Sequence, residues 1–209
     1  MNMIDVKSAV EQLRSRDPMM KKLIDRVGEI ELKPGGDAFT HLCREIVGQQ
    51  LSGRVADVIH GRFRALYPRR KILRPHEVLA TPHEKLRACG MANSKAAYLN
   101  DLAQKFYDGT IEPRKLKNLS DEEASAELKK VKGIGQWTAD MFLIFGLGRP
   151  NVFPVGDLGI QKAIQSAYGF KKRPSERTMK TLAKKWHPYC TIATLYLWRH
   201  IDGENNGMW

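Results

Sequence analysis

Signals for helix starts recur along the whole chain, and they limit the folds open to it. Asp17-Pro18 places a capping carboxylate before a proline, Asp37 precedes AFTHLCREIVGQ, and Ser120 with Glu123 forms a capping box. Alternating polar and apolar residues, which are typical of half-buried strands, continue for no more than about four residues, below the usual strand length. We therefore predict an all-α protein.

The chain carries an excess of positive charge. Its 209 residues include 35 Lys and Arg against 23 Asp and Glu, a formal net charge of +12. This excess favours a polyanionic partner such as nucleic acid or an acidic membrane surface. No apolar run of about 18 residues and no signal peptide occurs. We expect no membrane segment and a cytoplasmic, nucleoid-associated location, or a nuclear one if the source is eukaryotic.

The three cysteines, Cys43, Cys89 and Cys190, are an odd number at wide spacing. This pattern suits neither a disulfide framework nor a zinc or iron–sulfur site. We expect these thiols to be reduced and mostly buried, and we expect no required cofactor.

Positions 131–142 read VKGIGQWTADMF and place Gly133 and Gly135 where a helix should begin. Glycine is costly inside a helix, but it allows positive φ and a close approach of the backbone to another molecule. A capped helix over 121–130 precedes the pair and helical composition resumes after it, which predicts a helix-hairpin-helix. Exposed N–H groups at the second helix start could bind a DNA phosphate. The alternative is an ordinary interhelical turn with glycine for steric reasons.

A weaker version of the same pattern occurs earlier in the chain. The segment LRACGM at 86–91 leads to Lys95-Ala96, much as Leu128 leads to Gly133-Ile134 and then to Thr138-Ala139. Two helical hairpins built alike are a hypothesis here, because the similarity is too short to establish a repeat.

One carboxylate, Asp157, lies among proline and glycine residues in NVFPVGDLGI at 151–160. It could simply be the N-cap of the next helix. It follows Gly135 by 22 residues (157 − 135), however, and a carboxylate behind a DNA-binding hairpin can face a nucleotide that the hairpin holds. This arrangement resembles that of DNA glycosylases.

Together these motifs resemble the helix-hairpin-helix, glycine/proline-rich and aspartate superfamily of base-excision DNA glycosylases, in its alkylpurine (3-methyladenine) branch. The resemblance rests on LKKVKGIGQWTADMFLIF at 128–145, VFPVGDLGIQKA at 152–163, IVGQQLS at 46–52, WHPY at 186–189 and LYLW at 195–198. It implies an enzyme that hydrolyses the N-glycosidic bond of alkylated purines, of the 3-methyladenine and 7-methylguanine type, flipped out of duplex DNA.

The resemblance also implies roles for individual residues. Asp157 would be the catalytic carboxylate, which stabilises positive charge on the sugar or orients the attacking water. Backbone amides around Gly133, Gly135 and Thr138 would hold a phosphate next to the lesion. Gln50 would enter the gap left by the flipped nucleotide. A core-facing or helix C-terminal Gln50 is the alternative.

Metal binding is implied only for the hairpin. The main-chain carbonyls of Lys129, Val131 and Ile134 would hold a monovalent cation, whatever their side chains. No iron–sulfur cluster is expected, because only Cys190 follows the catalytic segment, whereas the branches with a cluster carry a four-cysteine C-terminal loop.

Tryptophans are the candidates for the base pocket, since an electron-rich ring attracts a cationic alkylated purine. Trp137 and Trp186 lie inside matched motifs and are assigned to the pocket, whereas Trp198 is interpreted as a core residue. Trp137 also stands two residues after Gly135, where lyase-active branches carry a nucleophilic lysine. Lys132 precedes the glycines, so we predict a monofunctional enzyme.

The implied architecture has two helical lobes, with the DNA and the lesion pocket in the cleft between them. One lobe spans 38–149 and contains both hairpins, and the other combines 1–37 with 150–209. We expect a monomer that acts on double-stranded DNA containing alkylated bases. Two alternatives stay open: a glycosylase for deaminated or etheno purines, and a non-enzymatic helix-hairpin-helix DNA-binding module, which would have no use for Asp157.

Overall fold

A computed structural model of the chain describes residues 5–51 and 53–204, so Ser52, the last residue of the upstream motif, lies outside the described residues. None of the described residues forms a β-strand, and the prediction of an all-α protein is confirmed. The helices in chain order are α1 Val6–Arg16, α2 Pro18–Val27, α3 Ala38–Gly48, α4 Gly53–Ala65, α5 Pro75–Leu79, α6 His83–Ala88, α7 Asn93–Tyr107, α8 Pro113–Leu116, α9 Asp121–Leu128, α10 Gln136–Met141, α11 Leu158–Ala167, α12 Glu176–Ala183 and α13 Cys190–Glu204. A π-helical turn, Phe142–Gly146, follows α10, and a short 3₁₀ turn, Lys184–Trp186, follows α12.

The chain divides into two compact units. One is Gly35–Phe142, and the other joins Met1–Pro34 to Leu143–Trp209. The sequence predicted lobe boundaries after residues 37 and 149. They lie a few residues C-terminal to the boundaries between these two units, which follow Pro34 and Phe142.

The Gly35–Phe142 unit is built around α3 and α7. Apolar residues at helical spacing give α3 a buried face that ends just before Gln49. The matching face of α7 packs against it, and the rings of Phe39 and Phe106 lie 5.3 Å apart between centroids. The end of α3 and the start of α7, which both contribute to the candidate site, are therefore fixed by one core.

The second unit has its core along α13. Its buried side chains include Trp186, Tyr196 and Leu197, and α1, α2 and α11 pack around them. Because α11 begins at Leu158, burial of its apolar face fixes the position of Asp157 at its N-terminus.

The helix-start signals at Asp17, Asp37 and Ser120 are used as caps. The Asp37 carboxylate accepts from Thr40 N, the Asp17 carboxylate from Met19 N, and Ser120 forms a reciprocal capping box with Glu123. These local contacts confirm the predicted helix starts.

The cysteines are buried and form no disulfide, as the sequence predicted. In the described part of the chain, no helix combines the length and the apolar character needed to cross a membrane.

Candidate functional site

The glycine hairpin consists of α9, the turn at 129–135 and α10. Gly133 adopts φ +83°, in the left-handed region that favours glycine. A Cβ at this position would lie 2.1 Å from the ring of Tyr98. Both the turn conformation and the packing against Tyr98 therefore require glycine at position 133. For this residue, the alternative of glycine for steric reasons is correct.

Gly135 has a different environment. It is the N-cap of α10 with φ −93°, an extended conformation that any residue adopts, and glycine has no side chain that could cap the helix. A Cβ placed there would meet no heavy atom within 4 Å. Because this φ is ordinary, the glycine at position 135 is not required by the backbone conformation. Because glycine has no side chain, the space beside the N-terminus of α10 is open.

Gln136 ties the two helices of the hairpin together. Its Oε1 accepts from Lys129 Nζ at 2.8 Å and from Ser125 Oγ at 3.3 Å, and its Nε2 donates to Asp140 Oδ1 at 2.8 Å. Burial raises the pKa of Asp140 to about 6. These bonds hold α9 and α10 in one fixed arrangement.

A second anchor joins the hairpin turn to α7. The backbone N–H of Lys132 donates to Asp101 Oδ2 at 2.8 Å, and the same carboxylate pairs with Lys105 at 2.8 Å. The Asp101 carboxylate therefore positions the residue just before Gly133.

Thr138 is buried, with 3% of its surface exposed. Its hydroxyl oxygen accepts from Gln49 Nε2 at 3.0 Å, and the same amide group donates to the carbonyl of Gly133 at 2.8 Å. The Thr138 side chain thus stabilises the hairpin from inside, so that only its backbone could serve the predicted phosphate contact. Sequence reasoning missed Gln49, since no local pattern links positions 49 and 138.

Gln50 is exposed and follows α3 by two residues. Its φ of +56° lies in the left-handed region, which is uncommon for a residue other than glycine. The core-facing alternative for Gln50 is wrong, because the side chain is turned to solvent. An exposed side chain on a strained turn is compatible with insertion into DNA.

The carbonyls assigned to a cation lie in the hairpin turn. The carbonyl of Val131 accepts from Ile134 N at 3.1 Å, which leaves one lone pair for a further contact. Among the backbone hydrogen bonds of the described turns and caps, none is accepted by the carbonyl of Lys129 or Ile134. Three carbonyl oxygens with capacity for a further contact fit the oxygen ligands that hard cations prefer.

The two tryptophans assigned to the base pocket differ sharply. Trp137, at the second position of α10, has 40% of its surface exposed. Trp186 has none exposed, and its Nε1 donates to Asp17 Oδ2 at 3.1 Å while its ring meets Phe153 edge-on. The prediction that Trp186 lines the pocket is contradicted by this burial, since a ring fully enclosed by its own core has no face to offer a base.

Asp157 is the N-cap of α11. Its Oδ1 accepts from Ile160 N at 2.8 Å and from Trp198 Nε1 at 3.1 Å. Gly159 leaves room for this arrangement, because a Cβ there would lie 3.0 Å from the same oxygen, which is a tight contact. The N-cap reading of Asp157 is therefore correct, and the carboxylate is also fixed by an indole donor from a distant part of the chain.

Trp198 was interpreted as a core residue from its sequence, and the structure places it beside the candidate carboxylate. Its ring is half-buried and stacks on Phe145 with centroids 5.9 Å apart and planes 20° from parallel. It lies 41 residues after Asp157, so no local pattern could have revealed the contact. The aromatic pair of Trp198 and Phe145 supplies an electron-rich surface next to a carboxylate.

Comparison with known proteins agrees with this geometry. Residues 43–188 match a family described as "HhH-GPD superfamily base excision DNA repair protein". A putative DNA-3-methyladenine glycosylase of Bacillus subtilis is 34% identical over 162 residues, which cover 75% of this chain and 56% of that protein. DNA-3-methyladenine glycosylase 1 of Schizosaccharomyces pombe is 30% identical over 194 residues, which cover 90% of this chain and 84% of that protein.

A solved structure shows the same similarity in three dimensions. The 3-methyladenine DNA glycosylase of Schizosaccharomyces pombe, solved in complex with abasic DNA, superposes with a TM-score of 0.85 at 30% identity. The match covers 92% of this chain and 95% of that one.

Proposed function

The chain belongs to the HhH-GPD superfamily of base excision DNA repair proteins, and we propose from this that it is a monofunctional DNA glycosylase that removes alkylated purines from duplex DNA. The observation that carries the proposal is Asp157, held at the N-terminus of α11 by Ile160 N and by the indole of Trp198. Relatives named as DNA-3-methyladenine glycosylases support the choice of 3-methyladenine as a substrate. 7-Methylguanine is proposed beside it as a second alkylated purine with a formal positive charge.

The chemistry requires a negative group next to the sugar. Cleavage of an N-glycosidic bond builds positive charge on the sugar, as in glycoside hydrolysis, and a nearby carboxylate stabilises this charge or orients the attacking water. Asp157 has the rigid support that this role needs, since two N–H donors fix its Oδ1. A carboxylate already in place costs no reorganisation when the charge develops.

The base itself calls for aromatic contacts. An alkylated purine carries a formal positive charge, which makes it a good leaving group and attracts it to electron-rich rings. Trp198 replaces Trp186 as the aromatic side chain for this contact, because its ring is partly exposed and adjoins Asp157. Trp137 stays a candidate on the strength of its 40% exposure.

The glycine hairpin is proposed to hold the DNA backbone. Open space at Gly135 lets a phosphate approach the N-terminal amides of α10, and the net charge of +12 favours a polyanion. A phosphate contact of this kind positions the protein on DNA without reading the sequence. The S. pombe relative solved with abasic DNA supports DNA as the partner.

A monovalent cation fits the hairpin turn. The carbonyls of Lys129, Val131 and Ile134 would hold it, and their capacity for further contacts supports the assignment. When bound, the cation would add positive charge near the phosphate. The protein's own amides perform the contact in either case. We further propose that the enzyme acts as a monomer in the compartment that holds the cell's DNA.

The direct test is base release from DNA treated with dimethyl sulfate, with the freed purines identified by chromatography. We expect 3-methyladenine and 7-methylguanine in the supernatant. Release limited to deaminated or etheno purines from the corresponding substrates would replace the alkylpurine proposal. Tight DNA binding with no base release from any of these substrates would leave a non-enzymatic DNA-binding module.

The Gly135→Asp variant is expected to bind undamaged and damaged duplex about tenfold or more weakly. The added side chain occupies the open space at the start of α10, and its charge repels the phosphate. Affinities are measured by fluorescence anisotropy at physiological salt. Gly61→Asp adds the same charge on α4, also in open space, and serves as the matched control. Equal affinities of Gly135→Asp and wild type would reduce the hairpin to a simple turn.

No Schiff base is expected, because Trp137 occupies the position of the nucleophilic lysine. Borohydride should therefore trap no covalent complex with DNA that carries an abasic site. A strong adduct that persists in Lys132→Ala and in variants of other exposed lysines would contradict the monofunctional assignment.

A further inference from the structure

The turn after α3 carries Gln50 in a strained conformation. We call Gln49, Gln50 and Leu51 the wedge turn. Among the described residues, Gln50 alone combines a side chain with a positive φ, and Leu51 N donates to the carbonyl of Gly48 at 3.2 Å to close the turn. A strained backbone of this kind persists only where neighbouring groups hold it.

The first group that holds the wedge turn is the side chain of Gln49. Its Nε2 donates both to the carbonyl of Gly133 and to Thr138 Oγ1, at 2.8 and 3.0 Å. Both acceptors belong to the glycine hairpin. The wedge turn is thereby fastened to the element that is proposed to hold the DNA phosphate.

The second group is Lys95, near the start of α7. Its Nζ donates to the carbonyl of Val47 at 2.8 Å and to the carbonyl of Gln49 at 2.6 Å. Carbonyls at a helix C-terminus have no partner within the helix, and a cation there also complements the helix dipole. Lys95 therefore fixes the backbone from which Gln50 projects.

Lys95 and Thr138, which both contact Gln49, belong to two hairpins with similar turns. Gly90 and Gly133 have φ of +100° and +83°, and each precedes a helix that starts three residues later. Ala96 N donates to Ala92 O just as Ala139 N donates to Gly135 O. The α6–α7 hairpin, which we call the upstream hairpin, thus repeats the turn of the glycine hairpin.

Within this repeat, Lys95 and Thr138 occupy the same place, each as the third residue of its helix. Both contact Gln49, Lys95 at its carbonyl and Thr138 at its side chain. The wedge turn is therefore held by matching positions of the upstream hairpin and the glycine hairpin.

We propose that Gln49 and Lys95 are positioning residues that hold Gln50 ready to enter the DNA gap, so that wedge insertion is coupled to the grip of the glycine hairpin. This inference rests on the proposed function, in which a nucleotide leaves the duplex and Gln50 fills its place. Neither residue needs to touch the base. Substitution of Gln49 or Lys95 is expected to slow the step in which the nucleotide leaves the duplex. The slowing should be smaller for a mispaired base, because such a base leaves the duplex more easily.

The test uses two readouts on the whole protein. The first is fluorescence of 2-aminopurine placed opposite a tetrahydrofuran abasic analogue in duplex DNA, which changes when a side chain enters the gap. The second is single-turnover release of 7-methylguanine paired with cytosine or mispaired with thymine. The variants are Gln49→Glu, which keeps the size of the side chain but removes its donor, and Lys95→Met.

Matched controls are present in the same unit. Gln104→Glu makes the same chemical change on the exposed side of α7, and Lys115→Met removes an exposed ammonium that pairs with Glu112. Both controls should behave as wild type. Lys95→Arg retains charged donors and should recover part of the loss caused by Lys95→Met.

We expect Gln49→Glu and Lys95→Met to lose most of the fluorescence change and to release the paired base about tenfold to a hundredfold more slowly, the effect of a small misplacement. The mispaired base should be affected several-fold less. In a Gln50→Ala background, Gln49→Glu should add little, because both changes act on one step. Thermal melting of each variant checks the fold, and if Lys95→Met does not fold, Gln49→Glu and the Gln50→Ala background decide the question.

The outcomes separate this inference from the proposed function. Equal slowing of paired and mispaired substrates, or full additivity with Gln50→Ala, would overturn the positioning role. A wild-type protein that gives the fluorescence change but releases no base would contradict the glycosylase proposal and still support insertion of Gln50 into the gap. A wild-type protein that gives neither signal would overturn both.

Discussion

Asp157→Asn is expected to fold as the wild type does and to release methylated purines about a hundredfold or more slowly, the scale for losing one preorganised electrostatic group. The amide oxygen of asparagine can still accept from Ile160 N and Trp198 Nε1, so the cap of α11 survives. The negative charge is lost, while both contacts of Oδ1 are kept. Single-turnover release of 7-methylguanine, followed by chromatography, measures the effect.

The matched control for this change is Asp37→Asn. Asp37 is also an N-cap carboxylate, which accepts from Thr40 N at 2.8 Å at the start of α3. It should lose little stability and no activity, because asparagine caps a helix about as well as aspartate. A folded Asp157→Asn protein that releases base at a near wild-type rate would remove Asp157 from the chemistry and leave it as a cap alone.

Gly133→Ala is expected to lower the free energy of unfolding by about 2 to 5 kcal/mol, from the cost of a left-handed residue and from overpacking. The new Cβ would lie 2.1 Å from the ring of Tyr98, at a backbone φ of +83°. Tyr98 must therefore move or the turn must distort. The midpoint of thermal unfolding should fall by about 10 °C for a chain of this size.

Gly135→Ala provides the comparison, since it makes the same change two residues away. Its φ is ordinary and its Cβ has open space, so we expect a loss of less than about 1 kcal/mol, from the weaker N-cap alone. Adding Tyr98→Ala to Gly133→Ala should relieve the overlap and leave the cost of the backbone. Equal midpoints of thermal unfolding for Gly133→Ala and Gly135→Ala would mean that the two glycines do not differ in their structural role.

Features set by near neighbours were predictable from the sequence. The caps at Asp17, Asp37, Ser120 and Asp157 depend on a side chain and an amide two or three residues away, and the structure has all of them. The turn at Gly133 and the helix that follows it depend on the same short range. Family membership was also predictable, because it depends on motifs whose order and spacing are visible in the sequence.

Aromatic roles were not predictable in this way. Trp186 lies in a matched motif and yet is buried against Asp17, whereas Trp198 resembles a core residue and yet donates to Asp157. The sequence gives each tryptophan the same apolar character. Which tryptophan the core encloses depends on how α11, α13 and the 3₁₀ turn Lys184–Trp186 pack, and that is a property of the whole unit.

By itself, then, the sequence determined the helices, the hairpin turn and the carboxylate at the start of α11, because each follows from interactions within one or two helical turns. Only the tertiary structure decided that Gly133 fits against Tyr98 while Gly135 stays open, that Gln50 is exposed, and that Gln49 and Lys95 support it. These contacts join residues 35 to 89 positions apart (133 − 98 and 138 − 49). Nothing in the local pattern records such pairs, since their distances are fixed by burial of the shared core.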